Sequence, residues 1–221
     1  MNVVRGALVR LLFAVAVAAA LLAIVVLAFL LPPVVHLLLD LSGAPAGLGS
    51  DPVTAHRLSD ALVLDLLRGG DFGVTWGGAP LLNLAERSHL TDVGGLLRTA
   101  ICVGLVGVLL LTAKFARTRG LATETGRAFL GRALCDGALL LAGGAAAIGL
   151  AFAWSFETTF ALFHTLVFAA GTWTFNAATD RLVLLYPDAF WVATSLSFCV
   201  ALVFGGCAAL VIGRRLLRPH R

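Results

Sequence analysis

Four predominantly apolar stretches of this chain are long enough to cross a lipid bilayer, and nothing constrains its fold more. The hydrocarbon core is about 30 Å thick, so a spanning helix needs roughly 20 apolar residues. Read between ionisable residues, the spans fall at about 11–33, 94–113, 135–156 and 189–213. Hydrophobic residues make up 60% of the chain and charged residues only 13%, against about one quarter charged in soluble domains. The pattern predicts an all-α integral membrane protein with four transmembrane helices. Residues 1–221 are expected to form a single membrane domain, with cap elements at 36–92 and 157–188.

The first span ends at Pro32-Pro33, where two missing backbone donors stop a helix. It is longer than the 7 to 15 apolar residues of a cleavable signal, so a retained anchor is expected. The second span is long enough if Arg98 reaches back toward the interface with its charged end. A fifth segment, 158–179, is also uncharged. Charge argues against its crossing, because basic residues collect in cytoplasmic loops near span ends. With four spans and both termini cytoplasmic, eleven Lys and Arg lie inside and five outside, whereas ten Asp and Glu lie outside and two inside. A fifth crossing would put the basic tail GRRLLRPHR on the wrong side. The segment is therefore expected to be an interfacial or re-entrant aromatic helix before the last span, in a multi-pass protein of the cell membrane with an extracytoplasmic cap.

The net charge of +4 reflects this topology and gives no reason to expect a nucleic-acid partner, since no aromatics are interleaved to stack bases. Anionic membrane lipid is the expected contact of the basic residues. Cys102, Cys135, Cys199 and Cys207 have no paired spacing and read as packing residues. No metal site and no cofactor is expected.

In the cap, LSGAPAGLGSDP reads as a turn-rich linker. SDPVTAHRLSDALVLDLLRGG reads as one helix, with Ser50 or Asp51 as cap, Pro52 in the first turn and Gly69-Gly70 as the stop. Leu58, Ala61, Leu62, Leu66 and Leu67 form its apolar face. His36 and His56 are expected at the surface or interface. FGVTWGGAPLLN suits a loop or short strand pair, with Trp76 at headgroup level.

LAERSHLTDVGGLL then leads into the second span. Residues three apart on a helix are neighbours, so Glu86 and Asp92 flank His89. A carboxylate beside an imidazole fixes its tautomer and stabilises the imidazolium, as a general base requires; an acidic helix start that happens to contain histidine has the same spacing. FHTLVFAAGTWTF supplies the second histidine. As a helix it would set Phe160, His164 and Phe168 on one face, with Trp173 and Phe175 just beyond. An ionisable group at membrane depth is costly and marks a functional candidate.

ERSHLTDV together with FHTLVFAAGTWTFNAATDRLVLLYPDAFW resembles the bacterial lipoprotein intramolecular transacylase family, Lit, over most of the chain. Leu90 stands where Met is common in that family, and Asn176-Ala177 where Asp-Pro is common. The resemblance implies an acyltransferase acting on a diacylglyceryl lipoprotein, moving the sn-2 acyl chain to the α-amine of the N-terminal cysteine and leaving a lyso-form product. It also implies His89 and His164 as the catalytic pair, one taking a proton from the amine and the other serving the oxyanion or the departing alcohol. Trp76, Phe160, Phe163, Phe168, Trp173, Phe175, Phe190 and Trp191 are candidates for the pocket wall. Glu86, Asp92 and Asp180 are candidates for orienting imidazole or holding the cap. Two other classes fit the same residues: a metal-dependent hydrolase with His and carboxylate ligands, and a non-catalytic lipid-binding or assembly protein.

Overall fold

The computed structural model describes residues 2–218, and among them the regular secondary structure is helical apart from one short hairpin. The elements are α1 (Asn2–Phe29), α2 (Pro32–Leu41), α3 (Ala44–Leu48), α4 (Pro52–Arg68), β1 (Thr75–Trp76), β2 (Ala79–Pro80), α5 (Leu84–Arg117), α6 (Glu124–Trp154), α7 (Phe156–Val167), α8 (Leu182–Leu185) and α9 (Asp188–Leu216). Four helices are long and apolar enough to cross a membrane: Val4–Phe29, Leu84–Arg117, Glu124–Trp154 and Asp188–Leu216.

The chain divides into two compact units, and the four boundaries fall inside α1, α5, α6 and α9. One unit contains the described parts of 1–26, 100–149 and 198–221. Its helices approach closely through small residues, as expected where lipid offers no hydrophobic drive for helix association. A Cβ on Gly107 would fall 2.6 Å from the Ala16 carbonyl oxygen, one on Gly137 2.7 Å from that of Ala14, and one on Gly213 2.7 Å from that of Gly131. Arg10 adds a bidentate ion pair to Asp136, at 2.5 and 2.6 Å.

The other unit contains residues 27–99 and 150–197. Its core gathers Leu39, Leu58, Leu62, Phe72, Leu82, Leu185 and Phe190. Pro32 does more than end the first span: α1 stops at Phe29, and Pro32 opens α2, where its missing N–H would have had no partner in any case. The expected linker at 41–52 contains α3, which packs against α4 and α8. α4 forms as its sequence predicts. Asp51 is the N-cap, accepting from the Thr54 N–H at 3.0 Å, and Gly69 closes the helix at φ +75°. Leu58, Leu62 and Leu66 are buried on its apolar face, with Ala55 and Ser59, while Leu67 is exposed.

Arg98 reaches back along α5 past Gly94 to the end of α4. Its guanidinium donates to the Leu66 carbonyl at 2.6 Å, closing the C-terminal end of α4 where orphan carbonyls and the helix dipole favour a cation.

Candidate active site

The second unit holds both proposed catalytic histidines. His89 sits in the second turn of α5, whose start is fixed by a reciprocal capping box. The Asn83 side-chain oxygen accepts from the Glu86 N–H at 3.0 Å, and Glu86 accepts from the Asn83 N–H at 2.7 Å. The spacing Asn-x-x-Glu also accounts for α5 beginning ten residues before the predicted span. The second Glu86 oxygen accepts from the Leu182 N–H at 2.6 Å, so one fully buried carboxylate joins the start of α5 to the start of α8.

His164 is the only buried residue of α7. The helix ends at Val167 rather than continuing, and Phe168 is extended, its N–H bonded to the His164 carbonyl at 2.8 Å. Thus the 158–179 segment is a helix followed by a loop, and the loop carries Trp173 and Phe175 back toward the histidines.

The two imidazoles are stacked, with ring centroids 5.9 Å apart and planes 27° apart. Phe168 lies 4.9 Å and Phe175 5.5 Å from His89. Around His164 are Phe160 at 4.0 Å, Trp173 at 5.1 Å, and Phe163 and Phe168 both at 5.3 Å. Both histidines are 7% exposed.

His164 Nδ1 is 2.8 Å from the Phe160 carbonyl oxygen. A carbonyl only accepts, so Nδ1 carries the proton and the Nε2 lone pair is the basic one. Burial pushes the His164 pKa below the ordinary imidazole value, partly offset by this hydrogen bond. His89 Nδ1 is shielded from solvent and has no hydrogen-bond partner among the described residues.

The remaining candidates lie at varying removes. Trp191 touches Phe160 at 6.1 Å and packs on Phe190 and Tyr186. Trp76 stacks under the Arg181 guanidinium at 5.1 Å and packs against the core of its unit. Glu86 accepts a backbone N–H on each of its oxygens. Asp180 accepts from the Asn83 side chain at 2.8 Å and from the Asn176 N–H at 2.6 Å, which ties the aromatic loop to the start of α5. Asp92 is exposed, one turn after His89. Among the described residues, no cluster of three or more His, Cys, Asp or Glu is arranged to hold a metal ion.

Sequence reasoning missed a second histidine pair. His36 on α2 and His56 on α4 stack at 4.1 Å with planes 2° apart. Each bonds a carboxylate across the pair: His36 Nε2 to Asp60, and His56 Nε2 to Asp40, both at 2.8 Å. Asn83 was also missed, although its spacing to Glu86 was visible.

The sequence profile described as lipoprotein intramolecular transacylase Lit matches residues 80–191, just over half of the chain. The chain belongs to the Lit family. It is therefore an acyltransferase of the lipoprotein intramolecular transacylase type. The Lit match takes in His89, His164 and the whole aromatic loop. The solved structure of membrane-integral Lit from Bacillus cereus superposes with a TM-score of 0.71 at 21% identity, covering 95% of this chain and 94% of that one. Two variants of the Bacillus cereus Lit protein, with a histidine replaced by arginine or by alanine, give TM-scores of 0.66 and 0.65 at 20% and 19% identity. The first comparison covers 95% of this chain and 91% of the variant, and the second 98% and 97%. At these identities the likeness to Lit establishes the fold. No curated protein matches the chain significantly.

Proposed function

We propose that this Lit-family protein moves the sn-2 acyl chain of a diacylglyceryl lipoprotein to the α-amine of the same molecule's N-terminal cysteine. The reading rests above all on one observation: two buried imidazoles from separate parts of the chain converge within 5.9 Å inside one aromatic cage.

His164 is the base. Its Nδ1–H is committed to the Phe160 carbonyl, which presents Nε2 to the substrate amine and stabilises the imidazolium formed when that amine gives up a proton. The amine nitrogen bonds to the ester carbonyl carbon, and the C=O electron pair moves onto oxygen. When that tetrahedral centre collapses, the bond to the sn-2 oxygen breaks and His89 serves the departing oxygen. The proton that His164 takes from the nitrogen is passed by way of His89 to the sn-2 oxygen, so the nitrogen loses one proton, the oxygen gains one, and both rings end neutral as they began. An ester becomes an amide and a free hydroxyl, and total acyl content is unchanged.

General acid–base assistance contributes roughly 10²- to 10⁴-fold. Holding the amine against its own ester contributes the rest, since well-oriented intramolecular reactions reach effective molarities of about 10⁵ M or more. Phe160, Phe163, Phe168, Trp173 and Phe175 wall the reacting centre, with Trp191 behind Phe160. In this reading the cap faces the cell exterior and both termini are cytoplasmic, as the distribution of basic residues implies.

Mass spectrometry of the N-terminal lipopeptide of a reporter lipoprotein tests the proposal. The wild-type protein should give unchanged total mass with one chain moved from oxygen to nitrogen, and His89→Ala and His164→Ala should each abolish the shift. Ser88→Ala, at an exposed position beside His89, should leave it intact. Lyso-form product from either histidine variant would overturn the assignment. The same two substitutions separate catalysis from a lipid-binding role, which would tolerate them.

A further inference from the structure

Among the described residues, the buried side-chain polar atoms without a hydrogen-bond partner are Ser50 Oγ, His89 Nδ1, Trp173 Nε1 and Thr194 Oγ1. Two of them, on His89 and Trp173, belong to the same ring cluster about His164. Native proteins rarely leave such groups unmatched, and each instance calls for an explanation.

The two atoms differ in chemistry. An imidazole nitrogen donates or accepts according to tautomer, but an indole N–H only donates. Whatever satisfies Trp173 must therefore bring an acceptor, and the reaction brings an oxygen that becomes strongly accepting only as charge develops on it.

We propose that the Trp173 indole N–H is the oxyanion donor of the acyl transfer. This rests on the two-histidine reading above and deepens it. The Trp173 ring lies 5.1 Å from that of His164, with planes 40° apart. An amine deprotonated at His164 attacks from about 3 Å, and the carbonyl oxygen lies only about 1.2 Å beyond the carbon. In the proposed pose that oxygen is the acceptor the Trp173 N–H lacks. The loop holding Trp173 is braced at Asp180, which bonds both Asn83 and the Asn176 N–H, so the donor is fixed before the charge forms, as electrostatic stabilisation requires. Trp173 as donor leaves His89 free to serve the departing sn-2 oxygen.

The test replaces Trp173 by Phe, which keeps an aromatic face without the N–H, and by 3-benzothienylalanine, which keeps the indole shape with sulfur in place of N–H. Both should lower kcat by about 10²- to 10³-fold, the usual effect of losing one oxyanion donor, with KM unchanged. Trp173→His, which retains a ring N–H, should recover part of the rate. Full kcat in the benzothienyl variant would overturn the proposal, as would a raised KM with unchanged kcat, because Trp173 would then be wall alone. If Trp173→Phe unfolds, the isosteric variant decides. Activity surviving in His89→Ala and His164→Ala would sink the underlying reading. Loss in those two with full rate in the benzothienyl variant would sink only the donor.

Discussion

At His164 the backbone of α7 selects which nitrogen can act, and the aromatic cage selects the charge state. Because burial lowers the pKa, the ring stays neutral, and so competent as a base, to more acidic pH than a solvated imidazole. The acid limb of kcat/KM against pH, which reports the free enzyme, should therefore fall below about 6.5, the unperturbed histidine value. The same displacement has a stability consequence. An unfolded chain takes up this proton more readily, so the stability linked to the neutral ring is present above pH 6.5 and is lost as pH falls toward the folded value. Glu86 makes a different prediction. Glu86→Gln keeps an oxygen for one of the two backbone donors and turns an amide N–H₂ toward the other. Folding stability should drop by about 1–3 kcal/mol, read as a lower unfolding midpoint in detergent, with kcat falling as the first turns of α5 loosen. The sequence singled out His89 and His164 because an ionisable group in an apolar run stands out. It was silent on Glu86's second partner, since Leu182 lies far along the chain and a backbone N–H has no signature.

Helix existence was legible from hydropathy, while helix boundaries depended on local chemistry that hydropathy does not register. α4 was readable end to end because Asp51, Pro52 and Gly69 are strong stop and start signals. α5 starts earlier than its apolar window because Asn83 caps it, and α7 stops earlier because Phe168 turns extended to place its ring against both imidazoles. Apolar content alone does not distinguish a helical turn from such a loop. Packing between helices makes its own prediction at Gly107. Alanine there has the better helix propensity, by about 1 kcal/mol, but its Cβ would lie 2.6 Å from a rigid backbone carbonyl. Overpacking of this kind costs about 1–3 kcal/mol, so Gly107→Ala should lower the unfolding midpoint. Gly144→Ala, with nothing within 4 Å of the added atom, should not.

Across the whole molecule, the four-span architecture followed from composition and length. The division into two compact units did not, because its boundaries fall within continuous helices where no change of composition marks them. Orientation is tested by reporters. Alkaline phosphatase inserted at the exposed Gly77-Gly78 turn should be active outside the cytoplasm, and the same enzyme inserted at Gly120–Ala122 should be inactive. The reverse pattern would invert the proposed topology. Four of the protein's five histidines are arranged as two stacked pairs, His36 with His56 and His89 with His164, and only the second pair sits in the aromatic cage. Inactivation by a histidine-selective acylating reagent would thus report on two populations at once, and its stoichiometry would not identify the reactive pair unless the modified positions were mapped by peptide sequencing.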